Sequence, residues 1–87
     1  MVRMYVRHTV SDYDAWRRAY DAFDRASLGA RDHAVYRSVD DPTDVTVWHD
    51  FDDVQAARRF AGSDELKAAM DEAGVAGPPT IWFTEPV

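Results

Sequence analysis

The sequence predicts a small α+β domain with the element order β-α-β-β-α-β. Three observations carry that prediction. Residues 4–23 pass from a run rich in β-branched and aromatic residues to a helical repeat, with Tyr13, Trp16, Ala19, Tyr20 and Phe23 on one face. In the middle, two strand-like runs flank the cluster Asp40-Asp41-Pro42-Thr43-Asp44, which is strong turn chemistry and marks a hairpin. Near the end, Gly74, Gly77, Pro78 and Pro79 rule out further helix and leave the last segment to a strand.

Taken in order, the first strand is predicted from Arg3 to Val10. Alternation places Met4, Val6, His8 and Val10 on one face and Tyr5, Arg7 and Thr9 on the other. A helix is predicted over residues 12–26, with Ser11 as its cap and Asp14 in a first turn that favours an acid. Its outer face pairs Asp14 with Arg18, Arg17 with Asp21 and Asp21 with Arg25, each worth only ~0.2–0.5 kcal/mol, so these mark a solvated face. Gly29 is the predicted terminator. The second strand is predicted over residues 33–39 and the third over residues 45–51. In the third, Val45, Val47, His49 and Phe51 share one face, and Thr46, Trp48 and Asp50 the other. Asp52 or Asp53 then starts a short helix with Val54, Ala57, Phe60 and Ala61 inward. Ser63 caps a second piece in which Leu66, Ala69, Met70 and Ala73 face inward. Gly74-Val75-Ala76-Gly77 reads as a turn, and the last strand is predicted over residues 80–85.

Two β-α-β units with right-handed crossovers, joined by a hairpin, make a four-stranded antiparallel sheet with helices on one face, the ferredoxin-like arrangement. The 87 residues form one domain, 1–87, with no room for a second core. The uncovered sheet face then shows Tyr5, Arg7, Thr9, Tyr36, Thr46 and Trp48, joined by Trp82 if Ile81 and Phe83 turn inward. Such a ring-rich face exceeds what a small monomer leaves wet, so a homodimer packed face to face is expected. Cysteine is absent, which excludes disulfides and thiolate chemistry and leaves association as the aid to stability. Sixteen acidic against ten basic residues, net charge −6, oppose binding to nucleic acid. No apolar run reaches membrane-spanning length, and Arg3 and Arg7 interrupt any signal-peptide core. The expectation is a cytoplasmic protein with no membrane partner.

The segments YVRHTVSDYDAW, VTVWHDFDDVQAARRF and SDELKAAMDEAGVAGPPTIWFTEPV resemble the dimeric α+β barrel superfamily. Within it the likeness is to small proteins related to antibiotic-biosynthesis monooxygenases and often called cyclases, and it spans nearly the whole chain. The resemblance implies that two ferredoxin-like subunits join their sheets into a barrel and that each keeps a pocket between sheet and helices. It names no single reaction, since the superfamily includes cofactor-free oxygenases, isomerases and haem-degrading enzymes. Its oxygenases set an asparagine beside a tryptophan on the pocket wall. This chain has no asparagine; Trp16 matches the aromatic part, and His8 holds a first-strand position suited to polar work.

His8 is the expected catalytic residue, because an imidazole among apolar neighbours can take a proton from a phenol, an enol or an acidic C–H near neutral pH. Trp16, Tyr20 and Phe23 form the sheet-facing stripe of the first helix, where Trp16 and Tyr20 offer a planar ligand a stacking wall and a phenolic hydrogen bond. Val47, His49 and Phe60 complete the expected binding set. His49 shares the inward parity of His8, but each is late in its own antiparallel strand, so the two fall toward opposite ends of the sheet. No metal site is expected: residues 49–53 hold ligand types without a metal-binding spacing, and His33 is expected to be exposed. Arg7 and Asp50 are expected on the open face as a charge pair at the dimer interface. Nucleophile elbows, phosphate loops and nucleotide fingerprints are missing. The expected activity is cofactor-free cyclisation, isomerisation or oxygenation of a small apolar or aromatic, polyketide-like compound. The rival is a non-catalytic ligand-binding or homodimeric assembly module in which the same rings only build core and interface.

Overall fold

All 87 residues are described by the computed structural model. β1 (Val2–Val10) and β3 (Asp44–Phe51) are the two inner strands of a four-stranded antiparallel sheet, flanked by β2 (His33–Arg37) and β4 (Val75–Thr84) in the order β2-β3-β1-β4. The helices α1 (Tyr13–Ala22), α2 (Val54–Ala61) and α3 (Asp64–Glu72) cover one face. This is the ferredoxin-like α+β architecture. On the covered face, Val6 faces Val47 on one side and Ile81 on the other, and Met4, Val45, Phe51, Ala57 and Phe60 are fully buried. No helix is long and apolar enough to cross a membrane.

Several local expectations change. Asp12, not Ser11, caps α1: its backbone is extended and its Oδ1 accepts from the Ala15 N–H at 3.2 Å. The helix ends at Ala22, well before residue 26, because Phe23 turns to extended backbone and packs its ring 6.2 Å from that of Phe60. Arg25 folds back to donate to the carbonyls of Tyr20 and Phe23, satisfying helix-end acceptors. Of the three predicted charge pairs only Arg17–Asp21 forms, at 3.1 Å. Gly29, at φ 97°, terminates a short 3₁₀ turn (Ala26–Leu28) instead of α1.

β2 stops at Arg37, two residues short of the prediction, while β4 begins five residues early and takes in Gly77, Pro78 and Pro79. A proline is tolerated there because β4 is an edge strand and the β1–β4 register slips between Arg7 and Thr9. The turn is reduced to Ala73-Gly74, with Gly74 at φ 78°; a Cβ added to Gly74 would lie 2.7 Å from the Ser11 hydroxyl. On the open face Arg7 and Asp50 do not pair. Asp50 binds Arg3, directly opposite in the register, at 2.8 and 3.1 Å, and Arg7 grips Asp44 at 3.0 and 2.7 Å. Trp82 faces outward and stacks on Tyr5 at 5.1 Å, while Ile81 and Phe83 pack against the core.

Candidate functional site

Between the sheet and helices α1 and α3 lies an apolar cavity of about 40 Å³. Strand parity delivers Val47, His8 and His49 to it, the i, i+4 stripe of α1 delivers Trp16 and Tyr20, and Phe23 joins them from the C-cap just past the helix. Phe60 enters from α2. All seven residues singled out from sequence therefore line this one space. The wall not singled out is α3, through Leu66, Ala69, Met70 and Ala73; these have the spacing of an inward helix face, which on its own reads as core.

His8 is buried, 7% exposed, and meets the ring of Trp16 edge-on at 5.6 Å. Neither of its ring nitrogens has a hydrogen-bond partner in the protein. Burial lowers its proton affinity below the ordinary imidazole range, so it is neutral at pH 7. His49, only 2% exposed, is hydrogen-bonded through Nε2 to the Tyr20 hydroxyl at 2.9 Å. The phenol expected to be open to a ligand is thus already engaged. Burial first, then Arg25 and His33, push His49 down from 6.5 to about 4, with Asp50 opposing. Burial raises the Tyr20 phenol to about 12. Trp16 and Tyr20 stack face to face at 4.9 Å, and both line the cavity.

The register sets Val45 opposite His8 and Met4 opposite His49, so the two histidines stand four rungs apart, ~13 Å along the strands. They meet the cavity from its two ends. No group of three or more His, Asp or Glu side chains is placed to hold a metal ion. His33 is exposed, and its ring meets the edge of Tyr20 at 5.8 Å.

Solved structures share this architecture over the full chain. An antibiotic biosynthesis monooxygenase superposes with a TM-score of 0.75, covering 100% of this chain and 99% of its own at 11% identity. SnoaB, a cofactor-independent oxygenase from Streptomyces nogalater, superposes at 0.76, covering 99% and 92% at 14% identity. Rv0793 from Mycobacterium tuberculosis superposes at 0.69, covering 99% and 94% at 21% identity. The chain shares the ferredoxin-like α+β fold of these proteins. No protein-family model matches the sequence, and no curated protein matches it.

A fold shared at such low identity leaves the chemistry to this chain's own side chains. A neutral, unpaired imidazole in an apolar space can accept a proton, and the nascent imidazolium is then best stabilised by the substrate anion beside it. Stacked rings favour a flat ligand. The ferredoxin-like fold also leaves the opposite sheet face uncovered, with Tyr36 57% and Trp82 39% exposed in the single chain.

Proposed function

We propose that this protein is a cofactor-independent enzyme acting on a small, planar, largely apolar compound, with His8 as the general base. The observation that carries the reading is a buried imidazole in an apolar cavity with both nitrogens free of protein partners. Groups of that kind are rare in cores that serve packing alone. His8 takes a proton from a phenol, enol or acidic C–H of the substrate, and Trp16, Tyr20, Phe23, Val47, His49 and Phe60 enclose the resulting anion. Cyclisation or isomerisation follows when the anion is reprotonated or attacks within the molecule. Oxygenation follows when the anion reacts with dioxygen: a CH₂ becomes a carbonyl, the second oxygen leaves as water, and the substrate itself supplies the electrons. The name of SnoaB, a cofactor-independent oxygenase on the same fold, supports the oxygenase branch.

The proposed working form is a homodimer joined through the open sheet faces, and its proposed setting is the cytoplasm. His8→Ala tests the base. Turnover of a planar phenolic or acidic C–H substrate falls ~10²–10⁴-fold, the usual weight of a general base, while the circular dichroism spectrum is retained. Undiminished turnover sinks the assignment.

One observation favours a non-catalytic module: a 40 Å³ space holds a few waters and is far below the ~300 Å³ of an ordinary ligand pocket. Titration with planar phenols followed by tryptophan fluorescence separates the readings. Saturable quenching that disappears in Trp16→Leu requires α3 to yield and supports the pocket; no quenching supports the closed module.

A further inference from the structure

We infer that His49 is the residue that binds an oxygen of the ligand, as an Nδ1–H donor, and that Tyr20 is the positioning residue that holds it in that tautomer. This rests on the reading of the cavity as a substrate site and adds to it a second polar contact and a narrower substrate class.

The Tyr20 hydroxyl has one polar neighbour, His49 Nε2, at 2.9 Å. If Nε2 carried the imidazole proton and donated to the phenol, the Tyr20 O–H would lack an acceptor and His49 Nδ1 would lack a donor. If Tyr20 donates to Nε2, the Tyr20 O–H and Nε2 are both satisfied and the imidazole proton sits on Nδ1, so that a single N–H is left without a partner. The second arrangement strands fewer buried polar groups. Burial keeps both partners neutral, so an ionised phenolate–imidazolium pair does not compete.

The remaining N–H is buried and has no acceptor in the protein. Its ring neighbours are Phe60 at 5.2 Å, Tyr20 at 5.9 Å and His33 at 6.3 Å, and none of them offers a carbonyl or carboxylate oxygen there. The adjacent carboxylate, Asp50, belongs to the opposite sheet face and is held by Arg3. His49 lines the same cavity as His8, from the other end. A donor at one end and a base at the other match a conjugated ligand with an acidic hydrogen at one end and a carbonyl oxygen at the other. When His8 removes the proton, the electron pair of the broken O–H or C–H bond delocalises through the ring system onto that oxygen. The His49 N–H then stabilises the charge where it collects. Compounds with the acidic hydrogen but no remote oxygen lack this contact.

The test uses the full-length protein labelled with ¹⁵N and two probes, 6-acetyl-2-naphthol and 2-naphthol, which differ by the remote carbonyl. Long-range ¹H–¹⁵N spectra of the histidine rings are expected to show His49 as the Nδ1–H tautomer, with Tyr20→Phe moving it toward the Nε2–H form. The acetyl compound is expected to shift the His49 Nδ1 signal and to bind about tenfold tighter than 2-naphthol, and Tyr20→Phe should erase most of that preference. An Nε2–H tautomer in the unsubstituted protein, which needs no variant to observe, overturns the inference. Binding of the ketone that perturbs His8 but leaves His49 Nδ1 unmoved overturns it too, while the cavity reading stands. If neither naphthol binds, the cavity reading fails and takes the inference with it.

Discussion

A buried hydrogen-bonding group without a partner destabilises the fold that contains it, by about 1–3 kcal/mol. His8 and the Nδ1 of His49 are such groups. Replacing His8 by leucine, close in size and without polar atoms, should therefore raise stability by about 1 kcal/mol in urea unfolding while abolishing turnover. A core histidine satisfied by the protein would show the reverse, a loss of stability on the same change. The acid limb of stability has the same origin. Folded His49 binds its proton at about 4 and the unfolded chain near 6.5, so the unfolded state takes up the extra proton between those values. Stability is accordingly full above pH 6.5 and drops by up to about 3 kcal/mol as pH falls to 4. His8 is shifted the same way and steepens the fall. Urea midpoints measured from pH 7 to 4 should trace this loss, and His49→Gln should flatten it. The carboxylates Asp44 and Asp52, held by Arg7 and Arg31, are shifted below their ordinary 3.8 and act only at lower pH.

Among the elements, α3 decides whether the cavity can receive anything. Leu66 is its only buried side chain, and Met70 and Ala73 close the cavity from above. Its start is set by Ser63, whose hydroxyl accepts from the Leu66 N–H at 3.2 Å, and its exit by Gly74. Gly74→Ala meets two penalties at once, a φ of 78° that suits glycine and a Cβ 2.7 Å from Ser11 Oγ. It should destabilise by more than about 1 kcal/mol in thermal unfolding. Ser11→Gly in the same chain should recover the part due to the clash, leaving the part due to φ. Full additivity of the two changes would show that the contact with Ser11 is immaterial. The space below α3 is too small for a ring system, so the proposed binding of a planar ligand needs a wall of the cavity to yield.

For the molecule as a whole, the open sheet face is the proposed dimer face. Tyr5 stacked on Trp82, the Arg3 guanidinium 3.6 Å above Trp48, and the exposed Tyr36 make a flat patch of rings and paired charges. Interfaces that hold in solution bury ~800 Å² per partner and concentrate aromatic residues and arginine. The expected species is a dimer, and Trp82→Glu should shift sedimentation velocity profiles to monomer over at least a tenfold range of concentration. A wild-type monomer at high concentration would refute the face-to-face assembly and leave this face to another partner.

Strand parity and helix stripes were legible in the sequence because each element buries a single face, so a period of two or of 3.6 already states which side chains go inward. That is why β1 and β3 put His8, Val47 and His49 under the helices, why α1 put Trp16, Tyr20 and Phe23 opposite them, and why Asp53 and Ser63 cap α2 and α3. The element order likewise implied the sheet. Other features depend on residues far apart in the chain. Tyr20 reaches His49 across 29 residues only once the roll of α1 and the β1–β3 register are both set. Arg25 left the surface of α1 for carbonyls that exist only where Phe23 breaks the helix. β4 runs through Gly77-Pro78-Pro79 because the edge of a sheet tolerates missing donors, a property of position that composition does not carry. The sequence alone thus determined which side chains of β1, β3 and α1 turn toward the cavity. The tertiary structure decided which of their polar atoms are already paired, because pairing depends on distances of a few tenths of an ångström that no periodicity encodes.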